Sequence, residues 1–114
     1  MSGITTHVLD TSRGRPAAGL AVTLCHRAPD GSWTHLADGL TDVDGRAKNL
    51  IDDPSRMDSG VYRITFDTAH YFASLDIEGF YPEASVVFTV RDPSQHFHVP
   101  LLLNPYGYST YRGS

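Results

Sequence analysis

The sequence contains one cysteine and no apolar run approaching the roughly 20 residues that span a bilayer. Positive charge is also scarce, with 9 Lys+Arg against 13 Asp+Glu and a net charge of -4. Each scarcity excludes something. A lone cysteine cannot close an intramolecular disulfide, so the fold must rest on its core or on contacts between copies. Cys25 itself ends the apolar run Leu20-Ala21-Val22-Thr23-Leu24-Cys25, where a small buried residue is expected. A reactive thiol needs exposure and a lowered pKa, so the packing role is the stronger reading. A mildly acidic chain lacks the electrostatic footprint of a nucleic-acid or anionic-membrane binder. A Gly-rich phosphate loop, a Gly-x-Ser-x-Gly elbow and a metal-binding cysteine pair are missing too. Met1-Ser2-Gly3 runs directly into Ile4-Thr5-Thr6-His7-Val8-Leu9 without a basic start or long apolar segment. A cytoplasmic location without a secretory signal is therefore expected.

What is present is a globular composition. Hydrophobic residues make up 40% and charged residues 19% of 114, enough for one ordered domain over residues 1–114 but not for two cores. Short β-rich runs alternate with turn signals. Strands are predicted over 4–9, 20–26, 32–40, 60–67, 84–91, 96–103 and 106–112. Arg13-Gly14-Arg15-Pro16, Pro29-Asp30-Gly31 and Asp42-Val43-Asp44-Gly45 break them. In the 60–67 run, Val61, Arg63, Thr65 and Asp67 share one face and Tyr62, Ile64 and Phe66 the other. Residues 68–75 suit a short helix, with Thr68 as cap and Tyr71, Phe72 and Leu75 on one side. Many short strands with one helix indicate an antiparallel β-sandwich, whose edges invite pairing with another subunit.

The 6 histidines carry the chemical interest. His96 and His98 are two apart on a predicted strand and face the same way. Phe97, Val99, Leu101 and Leu103 hold the opposite, apolar face, so the histidines lie outside the core. Three readings stay open for this pair: a solvated polar face, a zinc site with a third ligand such as His7, or acid–base catalysis. His26 and His35 flank a turn and are expected to be solvated; His70 lies in the helix, where packing or surface exposure is expected. Arg46 follows the Asp44-Gly45 turn. It suits either the surface or an oxyanion, and Asp42 and Asp44 suit turn formation.

Longer motifs go further. Thr6-His7-Val8-Leu9-Asp10-Thr11, Gly14-x-Pro16-Ala17-x-Gly19-Leu20, Thr41-Asp42-x-Asp44-Gly45-Arg46, Gly60-Val61-Tyr62 and Tyr71-Phe72 follow one another along the chain. They lead to a block from His96-Phe97-His98-Val99-Pro100 to Tyr111-Arg112-Gly113-Ser114. Together these residues resemble the transthyretin-related 5-hydroxyisourate hydrolases over essentially the whole length. The resemblance implies an all-β transthyretin-like fold: a sandwich of two four-stranded sheets with one short helix. It also implies a homotetramer, a dimer of dimers with sites in the channel between dimers. The implied catalytic positions are His7, Arg46, His98 and Ser114, with substrate bound by His7, Arg46, Tyr111, Arg112 and Gly113. His96 ranks as supporting.

The implied reaction adds water to a lactam carbonyl of 5-hydroxyisourate in urate breakdown, without metal or organic cofactor. In the hormone-carrying branch of this family the catalytic histidines and arginine are replaced and the terminal tetrapeptide is missing; this sequence keeps them. The main alternative is a non-catalytic carrier of a small aromatic ligand. A third is a metal-binding structural protein.

Overall fold

Alternation of inward and outward residues along most strands builds two stacked sheets. The computed structural model describes residues 3–51, 55 and 57–113. The elements are β1 (Gly3–Asp10), β2 (Arg15–Pro16), β3 (Ala21–Arg27), β4 (Trp33–Leu40), β5 (Arg46–Ile51), β6 (Gly60–Phe66), α1 (Thr68–Ser74), β7 (Ala84–Val90), β8 (His96–Asn104) and β9 (Gly107–Thr110). One sheet runs β2-β1-β8-β9, with β5 also paired to β1; the other runs β4-β3-β6-β7. The expected two-sheet sandwich and single helix are thus present, and two-residue β2 adds a fifth strand to the first sheet.

The facing surfaces make the core. Ile4 and Val8 from β1 and Leu101 and Leu103 from β8 meet Leu24 from β3 and Tyr62, Ile64 and Phe66 from β6, all buried. Each such apolar side chain stabilises the fold by about 1.5–3 kcal/mol. Tyr62 keeps its polar end satisfied, its hydroxyl donating to the Asp58 carbonyl at 2.7 Å. Cys25 lies buried in β3, as expected of a packing residue.

Asp10 ties β1 to the helix. Its side chain is fully buried. One oxygen accepts from the Ser12 hydroxyl at 2.6 Å and from the Ser12 and Arg13 amides; the other accepts from the Tyr71 hydroxyl at 2.7 Å. A buried carboxylate needs such partners, since an unsatisfied one is costly.

Four local expectations are corrected. β1 and β8 run parallel, register Gly3↔His96 through Asp10↔Leu103, inside an otherwise antiparallel sandwich. Arg46–Ile51 forms a strand that its sequence, Arg-Ala-Lys-Asn-Leu-Ile, does not announce, because Ala, Lys and Asn are poor strand formers. Backbone pairing with β1 overrides that weak propensity. The helix cap is Asp67, whose carboxylate accepts from the His70 amide at 3.2 Å. Thr68 is buried instead, donating to the Tyr81 carbonyl at 2.7 Å. The last strand ends at Thr110 rather than Arg112, and the chain pairs with β8 again at Gly113, in the same register.

Candidate functional site

The site grows from strand parity. On β1, Ile4, Thr6, Val8 and Asp10 point inward, so Thr5, His7 and Leu9 point outward. On β8, Phe97, Val99, Leu101 and Leu103 are buried, which turns His96 and His98 outward as the sequence predicts. Parallel pairing sets Thr5 opposite His98 and His7 opposite Pro100. On the other flank of β1, antiparallel pairing sets Arg46 opposite His7. The Asp42 carboxylate closes the turn before Arg46, accepting from the Asp44 amide at 2.9 Å and the Arg46 amide at 3.1 Å. Gly45 serves that turn in two ways. Its φ of 76° suits glycine. A Cβ there would also lie 2.4 Å from the Val8 carbonyl oxygen.

The result is a cleft of about 370 Å³ lined by Thr5, Thr6, Arg46, Lys48, His96 and His98. His7 stands beside it, with its ring centre 6.5 Å from that of His98. The Thr5 hydroxyl lies 2.9 Å from His96 Nε2 and 2.8 Å from His98 Nδ1. The pKa of His98 is held below its ordinary value of 6.5, first by burial, then by the positive charge of Arg46, with His7 and His96 adding. His98 is therefore a neutral imidazole at neutral pH, able to accept a proton. Among the described residues no group of three or more His, Cys, Asp and Glu side chains is placed to hold a metal ion.

The tail contributes unevenly. Beyond β9 the chain continues along β8 in the same antiparallel register, and the Gly113 amide donates to the His98 carbonyl at 2.8 Å. A Cβ on Gly113 would fall 2.6 Å from His98 Cδ2 and 3.1 Å from Pro100 Cγ. Only glycine lets the backbone lie this close to the His98 ring. Arg112 is engaged elsewhere: its guanidinium sits 4.5 Å from the Phe97 ring centre and donates to Gln95 Oε1 at 3.0 Å. Tyr111 is exposed. Tyr111 and Arg112 border a second, largely apolar hollow of about 300 Å³ with Val86, Val87, Phe88 and Phe97, and His98 borders both cavities. Ser114 lies outside the described residues.

The structure therefore gathers His7, Arg46, His98 and Gly113, while Arg112 and Tyr111 flank the far side of His98. His96 joins the cleft directly. The remaining histidines do not. His26 stacks on Tyr62 at 4.4 Å, His35 pairs with Asp38 at 3.1 Å, and His70 is exposed on the helix. His26 is thus half-buried rather than solvated. Thr5 and Lys48 were missed as site residues. Their signal was parity alone, since each stands two residues from a candidate, His7 and Arg46.

Comparison with known proteins places the chain in a family. The model of the HIUase/Transthyretin family matches residues 4–113. The chain is 47% identical over 114 residues to the mouse (Mus musculus) 5-hydroxyisourate hydrolase, covering 99% of this chain and 96% of that one. The structure of Klebsiella pneumoniae 5-hydroxyisourate hydrolase superposes with a TM-score of 0.87 at 36% identity, covering 100% of both chains. Sea bream transthyretin in complex with thyroxine superposes with a TM-score of 0.91 at 34% identity, covering 96% of this chain and 93% of that one. The chain belongs to the HIUase/Transthyretin family.

Proposed function

We propose that this chain hydrolyses 5-hydroxyisourate to 2-oxo-4-hydroxy-4-carboxy-5-ureidoimidazoline in urate catabolism. The observation that carries the reading is one cleft flanked by two imidazoles, His7 and His98, and a guanidinium, Arg46. Opening a lactam by water demands three things: a base for the water, positive charge for the developing oxyanion, and a proton for the leaving nitrogen. The neutral ring of His98 supplies the base, with His7 positioning the water. Arg46 stabilises the oxyanion and orients the planar substrate. Gly113 keeps the tail against His98, and Tyr111 and Arg112 shape the rim. The active form is a homotetramer, a dimer of dimers, whose inter-dimer channel holds the sites.

A carrier of a small aromatic ligand is the second reading, favoured by the likeness to the thyroxine-bound transthyretin. The basic, imidazole-lined cleft suits a small oxidised purine better than an apolar aromatic. Adding the protein to freshly oxidised urate should speed the loss of 5-hydroxyisourate absorbance well beyond spontaneous decay. Decay at the spontaneous rate, with tight binding of an aromatic ligand, would replace the hydrolase reading by the carrier one.

A further inference from the structure

Thr5 Oγ1 stands between two imidazole nitrogens, 2.9 Å from His96 Nε2 and 2.8 Å from His98 Nδ1. A hydroxyl has one hydrogen to give and two lone pairs to receive. It can donate to only one of these rings, so the other ring must donate to it. The two nitrogens therefore cannot both be bare, and the tautomer of one ring restricts that of the other. The neighbouring Thr6 takes no part in this pairing, because it points into the core and donates to the Val99 carbonyl. The groups around His98 that carry or take charge are His7 on β1, Arg46 and Lys48 on β5, His96 on β8, and Tyr111 and Arg112 on the tail.

We propose that Thr5 is a positioning residue that couples His96 to His98, setting the His98 tautomer with Nε2 bare and passing the proton His98 gains on to His96. This rests on the hydrolase reading above for its chemical purpose. At rest, His98 Nδ1–H donates to Thr5 Oγ1 and the Thr5 hydroxyl donates to His96 Nε2. His98 Nε2, the nitrogen not engaged with Thr5, is then free to take the proton of the attacking water. As the water O–H bond breaks and an Nε2–H bond forms, His98 briefly carries both ring protons. Its Nδ1 proton moves to Thr5 Oγ1 while the original hydroxyl proton moves to His96 Nε2. The hydroxyl is restored, His98 is neutral with its proton on Nε2, and the positive charge rests on His96. The His98 Nε2–H is then the acid for the leaving nitrogen; as it is given up, His96 Nε2 returns its proton to Thr5 Oγ1 and the Thr5 hydroxyl proton passes to His98 Nδ1, restoring the starting state. The transfer suits the surroundings, because burial and Arg46 both disfavour a lasting cation on His98.

The test compares Thr5→Val, which keeps the shape and loses the hydroxyl, with Thr5→Ser, which keeps the hydroxyl. Nitrogen-15 NMR of the histidine rings at neutral pH reads the tautomers without any substrate. Wild type and Thr5→Ser should show His98 protonated on Nδ1, and Thr5→Val should lose that single state. In the 5-hydroxyisourate assay, Thr5→Val should lower kcat about 10- to 100-fold, the worth of one hydrogen bond to a charged group. KM should stay within about twofold, and Thr5→Ser should recover most of the rate. An unchanged His98 tautomer in Thr5→Val overturns the coupling, as does a Thr5→Ser enzyme as slow as Thr5→Val. A wild-type protein with the expected tautomers but no turnover sinks the hydrolase reading and leaves the coupling standing.

Discussion

At His98, burial and the nearby guanidinium of Arg46 act in the same direction, both against the imidazolium. The consequence is a pH profile. A base works only when deprotonated, so activity is kept above its pKa and lost as pH falls through it. With that pKa lowered, the acid limb of kcat/KM should lie below 6.5. Arg46→Gln removes the second-largest cause and should move the limb upward, besides costing roughly 100- to 1,000-fold in kcat as an oxyanion partner is lost. A limb at or above the ordinary histidine value in wild type would refute the neutral-base assignment. His98→Ala should lose about 100- to 10,000-fold in kcat while remaining folded, since its ring faces outward. Unchanged turnover in that variant would remove His98 from the mechanism.

At the scale of elements, three neighbours hold the site, each by backbone pairing. β8 lies parallel to β1 and brings His98 to Thr5. β5 lies antiparallel to β1 and brings Arg46 to His7. The tail continues the course of β9 along β8 and lays Gly113 on His98. The tail is where activity and stability should separate. Gly113→Ala drives a methyl group into the His98 ring, and a displacement of about 1 Å can cost roughly a hundredfold in rate. The tail adds few buried side chains, with Tyr111 at 59% exposure, so unfolding should change by no more than about 0.5 kcal/mol. Deleting Tyr111–Ser114 should likewise impair turnover more than thermal unfolding. A truncated protein with full activity would show that these residues do not serve the reaction.

At the scale of the molecule, the sandwich leaves strands β7 and β9 on sheet edges, and Val87 on β7 is 55% exposed. Unpaired edge backbone and exposed apolar side chains favour association with a second copy. Light scattering on the purified protein should report four chains per particle, and dilution to monomers should abolish turnover if the channel between dimers completes the site. Full specific activity in a monomer would place the site within one chain.

How much of this could be read without coordinates depends on whether a feature is local. Alternation is local: Tyr62, Ile64 and Phe66 against Val61, Arg63 and Thr65, or Phe97 and Val99 against His96 and His98, follow from a period of two residues. So the sandwich, its core faces and the outward histidine pair were legible, and the long motifs carried the family. Propensity was less dependable. Arg46–Ile51 became a strand through its partner, and Thr68 yielded the helix cap to Asp67 once its side chain was buried. Pairing is not local at all. Backbone hydrogen bonds bind any two strands regardless of side chains, so nothing near Thr5 announces His98, which stands 93 positions away. The sequence by itself determined which residues face out of the core and which chemistry they carry. Only the tertiary structure decided that His7, Arg46, His98 and Gly113 meet, and that Thr5 joins His96 to His98, because strand register and direction are set by the packing of the whole sandwich.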